Sequence, residues 1–431
     1  VDGVAGVQGL KGEVGPTGKD GVDGVAGVQG LKGEVGPKGI PGIGEPGIQG
    51  EVGAAGAAIV RNIPAGNVVT TLDSTGIVGY YSSITIGADG LGLISYYDDT
   101  SENLKVAHCS DTNCTAATIT ALDATGTVGY YTSITIGADG LGLISYYDST
   151  NTALKVAHCD NTNCTTATKT TLDSDGNVGK HTSITIGADG LGLISYYDAT
   201  DNDLGSAREL KVAHCSNAAC TSATTSTLDS DGNVGKHTSI TIGADGLGLI
   251  SYYNFANWMS QHLKVAHCSN AACTSATTST LDSDGFVGRD TSITIGADGL
   301  GLISYYDDTP DEDLKVAHCS NAACTSATTS TLDLDGNVGR YTSITIGADG
   351  LGLISYNDTT NGDLKVAHCS NAACTSATTS TIDSDGNVGG YTSITIGTDG
   401  LGLISYYDWN NNDLKVAHCS NAFCLPYFRR R

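Results

Sequence analysis

From Val68 onward the chain is built of short runs of β-branched and aromatic residues, and no helical period competes with them. The runs recur as a unit. Ser-Ile-Thr-Ile-Gly starts at Ser83, Ser133, Ser183, Ser239, Ser292, Ser343 and Ser393, with spacings of 50, 50, 56, 53, 51 and 50 residues. Each copy predicts four strands: Ser-Ile-Thr-Ile-Gly-Ala, Leu-Gly-Leu-Ile-Ser-Tyr-Tyr, Leu-Lys-Val-Ala-His-Cys, and a Thr-rich run ending in Thr-Leu-Asp. Asp-Gly between the first two, Asp89-Gly90 in the first copy, suits the positive φ of a tight hairpin. Four strands in a repeat of this length predict an all-β fold, a β-propeller, and seven copies predict seven blades.

The two ends of the repeat array predict a closed ring. The last copy stops after its third strand and its cysteine pair, and the missing Thr-Leu-Asp strand stands before the first copy as Val68 to Asp73. An N-terminal strand that completes the last blade leaves no open edge.

Ahead of the propeller, glycine recurs at every third position from Gly3 to Gly42, and after a one-residue slip at Ile43 it resumes from Gly44 to Gly56. Only hydrogen fits at the axis of three wound polyproline-like strands, so this period predicts a collagen triple helix and a homotrimer. The domains are then a stalk over 1–56, a linker over 57–67 and a propeller over 68–431. Counting strands from Val68 brings the stalk in at the end of the ring that carries the cysteine hairpins.

Composition sharpens the division. Glycine is 58 of 431 residues, and the first 56 residues hold 19 of them. Net charge is −25, to which the stalk, with seven acids and four bases, contributes little. Such an acid excess argues against a nucleic-acid partner. No apolar run approaches the ~20 residues of a spanning helix, which argues against membrane insertion. Val1 lies inside a repeat with no initiator Met, so the chain is read as processed or truncated, and the lack of a visible secretion signal has no bearing on export.

Fourteen cysteines form seven Cys-x₄-Cys pairs: Cys109-Cys114, Cys159-Cys164, Cys215-Cys220, Cys268-Cys273, Cys319-Cys324, Cys369-Cys374 and Cys419-Cys424. Each pair is expected to face itself across a hairpin and form a disulfide, which places the protein outside a reducing cytosol. A histidine precedes every first cysteine, from His108 to His418, but neighbouring strand residues point to opposite faces, so zinc is not expected. These histidines are read as packed strand residues. Asp173-x-Asp175-Gly176-Asn177 resembles the start of a calcium loop, without the Glu at position twelve; a plain Asp-Gly turn explains it equally well. Calcium at Asp173 and Asp175 is the one cofactor left open.

Units of the form Ser-Ile…Asp-Gly-x-x-x-Ile-Ser-Tyr-Tyr-Asp…Leu-Lys-Val-Ala over residues 68–424 resemble the repeat propellers of bacterial and phage extracellular proteins, loosely similar to sialidase-type Asp-box propellers. A collagen-like stalk before a globular head resembles phage tail fibres and bacterial surface collagens. The resemblance implies a fold and a setting and leaves function to the site.

Differences among the seven copies locate that site. They concentrate in the loop between the second and third strands, which holds Phe255, Trp258 and Trp409, and in the pair of residues entering the first strand. The pairs are Tyr80-Tyr81, Tyr130-Tyr131, Lys180-His181, Lys236-His237, Arg289-Asp290, Arg340-Tyr341 and Gly390-Tyr391. All except Asp290 and Gly390, together with Phe255, Trp258 and Trp409, are taken as ligand-binding candidates, because exposed aromatics with a few cations suit stacking on sugars. Catalysis needs unlike residues brought together, and Arg208, Arg289 and Arg340 are expected at unrelated positions on different blades, so the head is read as not an enzyme. The expected function is a trimeric extracellular fibre, a cell-surface appendage or virion fibre, whose heads bind a surface ligand, a glycan or a protein. The alternative is a purely structural filament component, with a carbohydrate-active enzyme third.

Overall fold

The structure is a computed structural model that describes residues 66–200, 208–257, 260–309 and 312–425. The expected stalk, nearly all of the linker, and Trp258 lie outside the described residues. Twenty-eight strands, β1 to β28 in chain order, make seven four-stranded antiparallel sheets arranged as a β-propeller. The first blade runs β2 (Val78–Ile86), β3 (Gly92–Asp98), β4 (Asn103–Cys109) and β5 (Ala117–Asp123) from the channel outward. Closure is as expected. β1 (Val68–Asp73) pairs antiparallel with β28 (Asp413–His418), opposing Val68 to His418 and Thr70 to Val416, in the sheet ordered β1-β28-β27-β26. Asn67 donates its side-chain amide to the Cys424 carbonyl at 3.1 Å, so β1 starts at the cysteine-hairpin end of the ring.

Position in the blade explains each strand's composition. β3 is buried at every residue because both of its faces meet neighbouring blades, and it therefore reads as a continuous apolar run. Ile94 and Tyr96 pack with Leu403, Leu414 and Val416 of the last blade. Leu93 packs with Val128 and Ile144 of the second blade. The outer strand alternates exposed and half-buried residues, which suits its threonines. Gly92 is small because an added Cβ would stand 2.8 Å from the Cys109 Sγ.

All seven disulfides form, with Cα separations of 4.8–4.9 Å. Their placement differs from the expectation of opposed strand residues. Cys109 opposes Ala117 in the ladder, while Cys114 sits in the turn with its amide on the Asp111 carbonyl, so each bridge ties a strand end to its own turn. The preceding histidine is packed, and His108 Nε2 lies 2.7 Å from Asp89 Oδ2 of the Asp-Gly turn.

The aspartate that ends each outer strand has a structural partner set. Tyr96 donates its hydroxyl to Asp73 Oδ2 at 2.7 Å and Lys105 donates its ammonium to the same oxygen at 2.8 Å, joining the outer strand of one blade to the middle strands of the next. The same clamp stands at every blade junction. The clamp accounts for one of the two residues considered for calcium. Asp173 Oδ2 is engaged by Tyr196 and Lys211, and its Oδ1 accepts the backbone amide of Asp175. Among the described residues no group of three or more His, Cys, Asp or Glu is placed to hold a metal.

Candidate functional site

The innermost strand of each blade is irregular at one point. In β2 the register passes from Tyr80 opposite Tyr97 to Ser83 opposite Ser95, so one extra residue is accommodated in a bulge. Tyr81 there has φ of 53°, in the left-handed region. Its counterparts Tyr131, His181, His237, Asp290, Tyr341 and Tyr391 all lie between 48° and 54°. A side chain at positive φ is uncommon outside glycine, and such residues gather at functional sites. The bulge turns all seven side chains into the channel. The variable pairs, expected as exposed residues entering the first strand, are thus strand residues around the channel mouth, half-buried except for the buried Gly390.

The seven bulge residues form a continuous ring. Ring centroids are 4.6 Å apart for Tyr81 and Tyr131, 4.4 Å for Tyr131 and His181, and 4.5 Å for His181 and His237. His237 Nδ1 then meets Asp290 Oδ1 at 2.9 Å, and the other Asp290 oxygen accepts the Tyr341 backbone amide at 3.1 Å. Tyr341, Tyr391 and Tyr81 complete the circle at 4.6 Å each. One step deeper stands a hydroxyl tier, in which Thr132 donates to Ser95, Thr182 to Ser145 and so around the ring.

The residue before the bulge forms an outer tier, and in five blades it stacks on a tyrosine of the preceding blade. Tyr80 lies 4.3 Å from Tyr407 and Tyr130 lies 4.1 Å from Tyr97. The Lys180 ammonium sits 5.4 Å over Tyr147, and that of Lys236 sits 5.7 Å over Tyr197 and 5.4 Å over Phe255. Arg340 lies 5.0 Å over Tyr306 and donates to its hydroxyl, while Arg289 pairs with Asp308. The seventh blade has Gly390 in this tier, because Trp409 folds over it and would stand 2.4 Å from an added Cβ.

Electrostatics divide the ring. Burial, with the neighbouring His237 and Lys236, pushes the His181 imidazole well below the usual histidine range and keeps it neutral. Burial alone would raise the Asp290 carboxyl, but His237, the Tyr341 amide and Arg289 outweigh it and hold Asp290 well below the usual carboxylate range. Burial and tyrosine neighbours raise Tyr81 and Tyr391. The mouth encloses about 260 Å³ lined by the ring together with Arg289, Tyr306 and Arg340. A tighter space of about 180 Å³ continues down to the hydroxyl tier. A side cleft of about 770 Å³ opens beside Tyr131 and His181 and is lined by Lys180, Arg208 and Lys236.

Nearly all of the candidate residues with described side chains therefore converge on one mouth, with Phe255 at its edge through Lys236 and Trp409 beside Tyr341 at 5.8 Å. Asp290 and the stacking tyrosines were missed as site residues. The signal for Asp290 was its place in a column otherwise of tyrosine and histidine. The stacking tyrosines carry no such signal, because Tyr97 and its equivalents lie in an Ile-Ser-Tyr-Tyr run that departs from tyrosine at Asn357 alone.

Residues 2–59 match the family described as Collagen triple helix repeat (20 copies). No curated protein matches the chain. Among solved structures, a protein of unknown function from Dyadobacter fermentans is similar with a TM-score of 0.51 at 12% identity, over 82% of this chain and 98% of that one. An ulvan lyase, a polysaccharide lyase, is similar with a TM-score of 0.52 at 10% identity, over 82% and 94%. The α-L-arabinanase of Penicillium chrysogenum complexed with arabinobiose scores 0.49 at 12% identity, over 82% and 97%. The fold of the head is thus one that serves as an enzyme scaffold in the lyase. Together with the geometry this corrects the expectation of a head without enzymatic activity. Arg289 and Arg340 occupy equivalent positions on adjacent blades and line one mouth with a His237–Asp290 pair, so the argument from unrelated positions fails.

Proposed function

We propose that the chain is a subunit of an extracellular fibre whose propeller heads engage a glycan at the channel mouth. Two features support the setting: an N-terminal collagen repeat, which fits self-association into trimers, and seven disulfides, which fit an oxidising compartment. Among the described residues no helix is long and apolar enough to cross a membrane. The observation that carries the ligand reading is the break in sevenfold sameness at a single mouth: an aromatic arc of Tyr391, Tyr81 and Tyr131 faces a polar arc of His181, His237 and Asp290 with cations around it. Tyrosine faces offer sugars an apolar platform with polar edges. Three heads on one stalk would add avidity to a weak single site. The test is a glycan array probed with the intact chain and with Tyr131→Ala. Saturable binding that falls in the variant supports the reading, and no binding by the intact chain overturns it.

A second reading is turnover at the same mouth, favoured by the ionised Asp290 paired to His237 beside the neutral His181, groups suited to moving a proton. Incubating the chain with glycans that it binds and analysing the products by mass spectrometry tests it. Cleavage lost in Asp290→Asn and His237→Gln supports turnover, and intact glycans after prolonged incubation overturn it.

A further inference from the structure

We infer that the side cleft over the third blade, which reaches Tyr131 of the second and Lys236 of the fourth, is an anionic subsite, and that the glycan engaged by the head bears carboxylate or sulfate groups; this inference rests on the glycan reading above. The first ground is where the positive charge is spent. In a chain of net charge −25, seven lysines are consumed by the clamps between blades. Of the other basic side chains in the described residues, Lys169 lies on an outer strand and donates to the Leu122 carbonyl. The remaining five, Lys180, Arg208, Lys236, Arg289 and Arg340, fall on four consecutive blades around the mouth. The cations that no clamp consumes thus gather in one arc.

The second ground is how those cations are held. Arg289 has Asp308 as a partner. Lys180 and Lys236 have no carboxylate within salt-bridge reach among the described residues, and each ammonium rests on an aromatic face. With Arg208 they line one cleft, and burial together with their like-charged neighbours lowers the pKa of both lysines. Such crowding is relieved when an anion enters and accepts hydrogen bonds from both ammonium groups, and charge-assisted bonds of this kind are the strong ones. The cleft shares Tyr131 and His181 with the mouth, so a sugar stacked on the aromatic arc can place a neighbouring acidic unit between the lysines. An unbroken polyphosphate backbone suits this site poorly, because the cationic arc is short and the rest of the surface is acidic.

The test is calorimetric binding to the intact chain of three size-matched probes: oligogalacturonate for carboxylate, sulfated dextran oligosaccharide for sulfate, and dextran oligosaccharide as the neutral reference. At least one acidic probe should bind about tenfold or more tightly than the neutral one, with affinity falling as salt rises. The double variant Lys180→Gln, Lys236→Gln should remove that preference while melting like the parent, and Lys169→Gln should keep it. Preference for one acidic probe over the other assigns the group. Equal binding of acidic and neutral probes, or a preference unchanged in the double variant, overturns the inference and leaves the glycan reading standing. Binding of no glycan here or on the array overturns the glycan reading itself.

Discussion

The clamp and the mouth ring are both built once per blade from the same repeat, yet they have opposite histories within the molecule. Every clamp is an aspartate with a tyrosine and a lysine. The ring holds four tyrosines, two histidines and an aspartate on an unchanged backbone bulge. The clamp joins each blade to the next across a buried surface, where a lysine that loses its close aspartate is an undercompensated charge. The ring faces the channel, where a changed side chain is tolerated by its neighbours as long as the bulge persists. The difference separates what holds the ring together from what gives it a chemistry.

The largest expected effect comes from removing the strand that serves closure and clamp together. Deleting Val68–Asp73 exposes the edge of β28, strips Tyr96 of its acceptor and leaves Lys105 with Asp98 alone, and the cooperative melting transition of the head should be lost in calorimetry. A deletion that melts like the parent would contradict the closed ring. Next in size is Asp123→Ala, which leaves buried Lys155 with Asp148 at 3.6 Å in place of its close carboxylate; we expect at most about 3–5 kcal/mol in chemical denaturation, the usual range for breaking a buried pair. Sugar affinity per folded head should not change.

The same clamp sets an acid limit. Burial opposes ionisation of Asp123, but Lys155, Thr125 and Tyr146 lower its pKa to about 2. An unfolded aspartate titrates near ~3.9. Its contribution is therefore complete above that unfolded value and is lost as pH falls through about 2, so melting temperature should hold near neutrality and drop steeply in strong acid. A melting temperature that climbs on acidification would contradict the ionised clamp.

Changes in the ring should invert the pattern. Asp290→Asn removes a charge that His237, Arg289 and one backbone amide attend, so glycan affinity should fall about tenfold while stability shifts less than for Asp123→Ala. A larger stability loss than binding loss would make the ring a second clamp. The smallest effect is expected from Gly390→Ala, where the new Cβ must displace the Trp409 ring. Tryptophan fluorescence should shift with stability changed by about 1 kcal/mol or less, since Trp409 is partly exposed and free to move outward. An unchanged spectrum would mean that the ring does not rest over Gly390.

The repeat by itself determined a great deal: seven four-stranded blades, the permuted strand that closes them, the cysteine pairs, and the columns in which copies differ. Those follow from period, turn chemistry and count, which are local properties of a chain. Tertiary structure alone decided the rest. A one-residue bulge re-aims every side chain at its position, and nothing in Tyr80-Tyr81 or Lys180-His181 announces it, so paired columns that read as exposed entries to a strand became two tiers of a mouth. The part that Asp173 plays in a clamp was not legible, because its partners, Tyr196 and Lys211, belong to the next blade. Likewise Arg289 and Arg340 looked scattered until the curvature of the ring brought their blades to one opening. Contacts between blades depend on which face of each strand looks at which neighbour, and that is settled only when the ring closes.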